Sequence, residues 1–210
     1  MPALKAPIEK PRKQPVQARS TATVEAILEA TLQVLVAIGK ERLTTTRVAH
    51  RAGVSVGTLY QYFPNKPSLL QATLRRHLTA VSDAVEATCA AHRGQPLCDM
   101  IAAIADAFFR AKMTHPAISL ALYSVSSDVD GLRIVEDLRI RNTQALSEAL
   151  ASSPEKLNIP LDLAAFMLQA AMTGVSRRLL EAKVPTQDHE ALRTELITLL
   201  CAYIQTHTNA

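Results

Sequence analysis

From Ser20 to Ile38 the apolar residues fall at Val24, Ile27, Leu28, Leu32, Leu35 and Ile38. That three-and-four spacing draws a single stripe along a helix of 3.6 residues per turn. The pattern recurs nearly to the end of the chain, broken by Gly and Pro rather than by the alternation of a half-buried strand. It predicts about nine helices: Ser20 to Ile38 with Gly39 as its stop, Thr44 to Ala52, Ser55 to Tyr62, Asn65 to Ala91, Leu97 to Met113, Ile118 to Val125, Leu132 to Leu150, Leu161 to Lys183 and Asp188 to Gln205. Composition agrees, since alanine is abundant, glycines number six and aromatic residues make up 4%, a mix that favours helices over sheets. With no convincing strand and no internal repeat, the expected class is all-α. Its 210 residues suit one compact unit or a small domain followed by a larger one, and the 48% hydrophobic content is ample for a core.

Charge is unevenly spread. Up to Lys66 ten basic residues face four acidic ones, so the first third carries +6 of a net +4 and the remainder is slightly acidic. A basic head on an acidic body suits a head that meets phosphates, and equally a merely solvated surface. Met1 to Gln17 is rich in Pro, Lys and Arg with almost nothing to bury, so residues 1–18 read as a disordered basic arm, either reaching into a groove of DNA or lying in solvent. Lacking an apolar h-region, this start is not a secretory signal, and no uninterrupted apolar run approaches the ~18 residues of a membrane helix. The three cysteines, Cys89, Cys98 and Cys201, are odd in number and widely spaced, which fits reduced thiols better than a disulfide framework. The expectation is a cytoplasmic protein with no membrane partner.

The most informative stretch is Leu43 to Lys66, LTTTRVAHRAGVSVGTLYQYFPNK. Thr44 can cap a helix running to Ala52, and Gly53 stands where a left-handed residue would end it. Ser55 can cap the next helix, while Asn65 can cap the long one whose first turn tolerates Pro67. Ala49 is small enough for close helix approach, Gly53 lies four residues on, and Leu59 follows six later, as a helix-turn-helix requires. The second helix then presents Ser55, Val56, Gly57, Thr58, Gln61 and Tyr62 outward, all small or polar except Val56 and Tyr62.

AGVSVGTLYQYFPNK, with the LTTTRVA entry and the preceding helix, resembles the signature of the TetR/AcrR family of transcription regulators, over about residues 19 to 75. The resemblance implies a three-helix DNA-binding domain over 19–66 and a ligand-binding and dimerisation domain over 67–210. It also implies a repressor that binds a near-palindromic double-stranded operator as a homodimer and is released by a small-molecule effector. The helix from Ser55 would lie in the major groove. Thr44, Thr45 and Arg47 would meet phosphate, with Arg47 also in reach of a base. Thr58, Tyr60 and Tyr62 would hydrogen-bond the DNA backbone, Tyr60 alternatively packing inside the head. Lys66 would bind phosphate at the start of the long helix. Val56, Gly57 and Gln61 are placed to read base edges, Gln61 by pairing with adenine and Val56 by touching a thymine methyl.

For the body, the resemblance implies that the last two helices pair with their copies in a second subunit. Ala164, Ala165, Ala170, Ala171 and Gly174 permit close approach, and Leu192, Leu196, Leu199, Leu200 and Tyr203 form a stripe facing either a partner or the subunit's own core. The candidate ligand cavity would draw on Phe108, Phe109, Met113, Tyr123, Phe166, Met167, Gln169 and Met172, each of which also serves as core. His77 and His115 are further candidates for it. No GxSxG, GxGxxG, P-loop or HExxH occurs, and the histidines form no ligand spacing with Cys or carboxylates. No catalytic residue, metal site or cofactor is therefore expected.

Overall fold

The computed structural model describes residues 15–127 and 129–208. Residues 1–14 of the expected basic arm lie outside the described residues. Helix α1 spans Pro15–Arg42, α2 Thr45–Ala52, α3 Val56–Tyr62, α4 Lys66–Ala91, α5 Leu97–Met113, α6 Pro116–Ser126, α7 Val129–Ala151, α8 Leu161–Glu181 and α9 His189–Gln205, the last preceded by a 3₁₀ turn at Thr186–Asp188. Among the described residues the one β element is an isolated bridge between Leu157 and Thr208.

The punctuation falls where side-chain chemistry puts it. Gly39, at φ 76°, breaks α1 before a last turn through Arg42. Thr44, Ser55 and Asn65 each accept a backbone N–H three residues on, capping α2, α3 and α4. Gly53 closes α2 in the left-handed region at φ 68°, where a Cβ would be strained. Three starts differ from the pattern-based bounds. Helix α1 begins at Pro15 instead of Ser20, so residues 15–18 of the expected arm are helical. Helix α6 begins at Pro116, whose missing N–H costs nothing in a first turn. Helix α7 begins at Val129 instead of Leu132, so residues 129–131, which the pattern leaves as loop or helix cap, belong to its first turn. Gly131 lets that turn pass close to α6, because a Cβ there would lie 2.5 Å from the Val125 carbonyl oxygen.

Two cores result. In the head, Ile27, Leu28, Leu32 and Leu35 of α1 pack with Leu43, Val48, Ala49, Leu59 and Phe63, joined by Leu69, Leu70 and Leu74 of α4. This core continues beyond the head into Leu122 and Val125 of α6 and Ile134 and Leu138 of α7. The body core gathers residues of α4, α5, α7, α8 and α9, with Met100, Ala149, Ala164, Ala165 and Ile204 at its centre. By length and composition alone, residues 20–42 of α1 would suffice to cross a membrane. Here that stretch supplies the apolar side of the head core.

The thiols differ from the expected reduced set: Cys98 and Cys201 form a disulfide with Cα atoms 5.1 Å apart. Helices α5 and α9 pack side by side, which brings together two residues 103 apart in the chain. Cys89 is free and buried, and burial pushes its thiol up to about 11, so it is a poor nucleophile.

Candidate nucleic-acid interface and ligand cavity

Helix α3 sits on α2 through Leu59, which is fully buried, as are Val48 and Ala49 facing it. Burying that side turns Val56, Gly57, Tyr60 and Gln61 outward. Ser55 and Thr58 are tied to one another, Oγ to Oγ1 at 2.8 Å, besides the cap from Thr58 N–H. Gly57 is open: a Cβ built there would meet nothing nearer than Ser55 Oγ at 3.7 Å. Thr44 and Arg47 are exposed at the start of α2. Arg47 donates to the Arg42 carbonyl at 3.2 Å, which holds its guanidinium across the α1–α2 junction.

The two tyrosines divide differently from the sequence expectation. Tyr60 points out, 46% exposed, its hydroxyl 3.0 Å from Thr45 Oγ1. Tyr62 packs partly into the head core and accepts a hydrogen bond from Ser20 Oγ at 3.2 Å. Of the pair, Tyr60 therefore presents its hydroxyl beside the exposed face of α3. Lys66 is half-buried and donates from Nζ to the Lys40 carbonyl at 2.7 Å, fastening the end of α1 to the start of α4. Thr46, exposed beside Thr45 and Arg47, is an added candidate that its neighbours' spacing could have suggested.

The body holds a cavity of about 560 Å³ bounded by α4, α5, α6, α7 and α8. Of the eight residues proposed for it, Phe108, Tyr123, Phe166, Gln169 and Met172 line the wall. Phe109 does not, being buried against the His189 ring at 6.5 Å. Met113 packs partly against the body core, and Met167 is 43% exposed on the outside of α8. His77 lines the cavity and His115 does not. The His77 ring nitrogen Nε2 lies 3.2 Å from Ser119 Oγ. Burial, and then the positive charge of Lys112, lower its pKa to about 4, so it is neutral at physiological pH.

Lys112 is the buried charged residue among the wall positions that the sequence reading missed. It is 6% exposed, and its ammonium lies 5.1 Å from the centroid of the Tyr123 ring. Desolvation lowers its pKa to about 8, which still leaves most of it charged at neutral pH. A signal existed: Ile101, Ala105, Phe108 and Lys112 follow one another at helical spacing, so the lysine continues a buried stripe. The Tyr123 hydroxyl is buried without a hydrogen-bond partner. Gln169 is tied across the cavity wall, accepting from Thr143 Oγ1 at 2.8 Å.

The stripes assigned to the last two helices split between the inside and the outside. Ala164, Ala165, Leu196 and Leu200 are buried in the subunit's own core, and Ala171, Leu192 and Tyr203 are partly covered. The exposed apolar surface is formed instead by Leu163, Phe166 and Met167 on α8, continued by Ala170 and Gly174, with Leu199 on α9.

A capped, closely packed helix pair with one face bare, carried on an all-helical body with a cavity among its helices, defines the class of helix-turn-helix regulators. Residues 27–73 match the model of bacterial regulatory proteins of the tetR family, and residues 96–204 match that of the tetracyclin repressor-like C-terminal domain. The chain belongs to the TetR family of transcriptional regulators. It is 34% identical over 122 residues to the HTH-type transcriptional regulator BetI 2 of Chromohalobacter salexigens, covering 55% of this chain and 59% of that protein. It is 39% identical over 59 residues to BetI of Escherichia coli, covering 28% and 30%. These matches span less than two thirds of the length of those relatives. Among solved structures, a transcriptional regulator FadR from Bacillus subtilis in complex with stearoyl-CoA superposes with TM-score 0.71 at 17% identity, over 84% of this chain and 97% of that one. A SmeT–triclosan complex superposes with TM-score 0.70 at 20% identity, over 87% and 91%. At these identities the structural likeness speaks for the fold.

Proposed function

We propose that the protein is a ligand-responsive DNA-binding regulator, a repressor that binds a near-palindromic operator as a homodimer in the cytoplasm and is released by a small molecule. The observation that carries this reading is the surface of α3: Leu59 fully buried behind it, and Val56, Gly57, Tyr60 and Gln61 bare in front. A helix of this size fits the major groove, with backbone-gripping hydroxyls at Thr44, Thr45, Ser55, Thr58 and Tyr60 flanking the residues that meet base edges. Arg47 and Lys66 supply charge at the edges of that face. Tyr62, held by Ser20, acts by fixing α3 on α1. The exposed stripe of Leu163, Phe166, Met167 and Leu199 is the surface for a second subunit. Regulators named BetI among the relatives, and the ligand-bound FadR and SmeT structures, support both halves of the reading. We read the chain as a binding protein and not an enzyme, since the Ser119 hydroxyl that meets His77 in the cavity donates its proton to the Lys112 carbonyl at 2.9 Å and is not poised on the imidazole as a nucleophile.

The test is selection of bound fragments from genomic DNA with purified protein at near-physiological salt. The expected result is one near-palindromic site whose half-sites are about one helical turn or more apart. Salt-sensitive binding without a preferred sequence would overturn the operator, and absence of binding by ligand-stripped protein would overturn the regulator.

A further inference from the structure

The cavity wall is chemically one-sided. Lys112, Arg139 and Arg177 contribute three cationic side chains, and among the described residues no carboxylate lines it. The two arginines are partnered and partly exposed, Arg139 with Glu136 and Arg177 with Glu181. Lys112 is different. It is 6% exposed, and its ammonium has no carboxylate within salt-bridge distance among the described residues. What faces it is the π-surface of Tyr123, which Arg177 also approaches, at 5.2 Å from the ring centroid. Beside these cations the Tyr123 hydroxyl is buried, with Ser176 as a polar side chain close to it. His77, lowered to about 4, adds no negative charge and sits against Ser119.

A buried cation without a counter-ion is costly, and the cost is recovered when an anion with hydrogen-bonding capacity enters beside it. An ammonium on the wall of a cavity is a donor only, so the missing partner is an acceptor that carries negative charge. The rest of the wall is apolar, through Leu74, Val81, Val85, Phe108, Leu138 and Met172. We infer that the effector of this protein is an amphipathic organic anion, a carboxylate-type head seated on Lys112 beside the Tyr123 ring with an apolar body lying along α4, α5 and α7. This inference rests on the cavity being the effector site of the regulator proposed above, and it names the effector's chemical class.

The experiment uses the full chain, stripped of bound lipid, and three probes with one tail: decanoate, decanol and decyltrimethylammonium. Binding is followed by calorimetry at pH 7 below the aggregation limit of each probe. The wild type is expected to bind decanoate about tenfold or more tighter than decanol, with the cation weakest, as a charge-assisted hydrogen bond to a buried group implies. Lys112→Met should bring decanoate down to the level of decanol and leave decanol unchanged. Equal affinities for the three probes, preference for the cation, no binding of decanoate, or a Lys112→Met protein that still prefers the acid would each overturn the inference. Operator binding is measured on the same preparations. A protein that binds operator but shows no acid preference loses the anionic effector and keeps the regulator. One that prefers the acid and selects no DNA does the reverse.

Discussion

Lys112 offers a thermodynamic test that needs no ligand. The ammonium is buried, and desolvation lowers its pKa from 10.5 in the unfolded chain to about 8 in the fold. Because the folded value is the lower one, the unfolded chain binds more protons between the two values, and stability rises with pH across that window. Below about pH 8 both states are protonated, and the fold carries the whole penalty of the buried charge. A gap of about 2.5 units corresponds to about 3 kcal/mol. Lys112→Met keeps an unbranched side chain of similar length and removes the charge. At pH 7 the variant should therefore be more stable by about 3 kcal/mol, or roughly 6–12 °C in Tm for a chain of this length. That advantage should shrink steadily between about pH 8 and 10.5, where the unfolded lysine of the wild type also loses its proton. Urea unfolding of both proteins across this range gives the difference directly, since other titrating groups cancel. A variant no more stable than wild type at pH 7, or an advantage that does not change with pH, would refute a desolvated, unpaired ammonium at this position.

Three further outcomes are expected. Gly57→Ala meets only Ser55 Oγ at 3.7 Å, so it should leave stability unchanged or raise it, while lowering operator affinity about tenfold if the bare Cα faces base edges; unaltered affinity would take Gly57 off the interface. Lys66→Ala removes the 2.7 Å bond to the Lys40 carbonyl, and should cost about 1 kcal/mol in unfolding while flattening the log–log salt dependence of DNA binding by about 0.9. A loss of stability with an unchanged salt slope would leave Lys66 a purely structural role. Replacing Cys98 and Cys201 by serine opens a link across 103 residues, and should lower stability by roughly 4–5 kcal/mol in thermal unfolding. Equal melting of the oxidised protein and the serine variant, with all thiols titratable, would show that the bond does not form.

The head was legible because its chemistry is local. Thr44, Gly53, Ser55 and Asn65 each act within one turn of helix, and Ala49, Gly53 and Leu59 lie within eleven residues, so short spacings carried the whole helix-turn-helix. Tyr60 and Tyr62 escaped because helical phase alone does not say which tyrosine finds a partner in another helix, here Ser20. The cavity was half legible for a similar reason. Phe108, Tyr123, Phe166, Gln169 and Met172 were found by residue type, yet the same reasoning admitted Phe109, which the body core claims, and passed over Lys112. An apolar inventory does not reveal a charge sitting on an apolar stripe. The disulfide was invisible for a topological reason, since only the pairing of α5 with α9 makes Cys98 and Cys201 neighbours.

The position of the cavity bears on how an effector could reach the DNA-reading face. Leu74, Leu122 and Leu138 line the cavity and belong to the same core as Val48, Leu59 and Phe63 of the head. Phe108, Leu146 and Met172 line it from the other side and belong to the body core. The cavity is thus a seam between two packed units, not a hole inside one. Helix α6 lies against α1, and Lys40 donates to the Ser124 carbonyl at 3.3 Å across that contact. Interiors packed at this density shift between discrete arrangements and do not deform smoothly. A ligand that presses on Leu122 or Leu74 therefore acts on α6 or α4 as rigid levers, each rooted in the head core. A ligand touching only the Phe166 side makes the same contacts whichever way the heads are set. Without differential contact it has no free energy to shift their balance, however tightly it binds. On the regulator reading, then, release of DNA should follow how far a ligand reaches toward Leu74 and Leu122, and not its affinity alone.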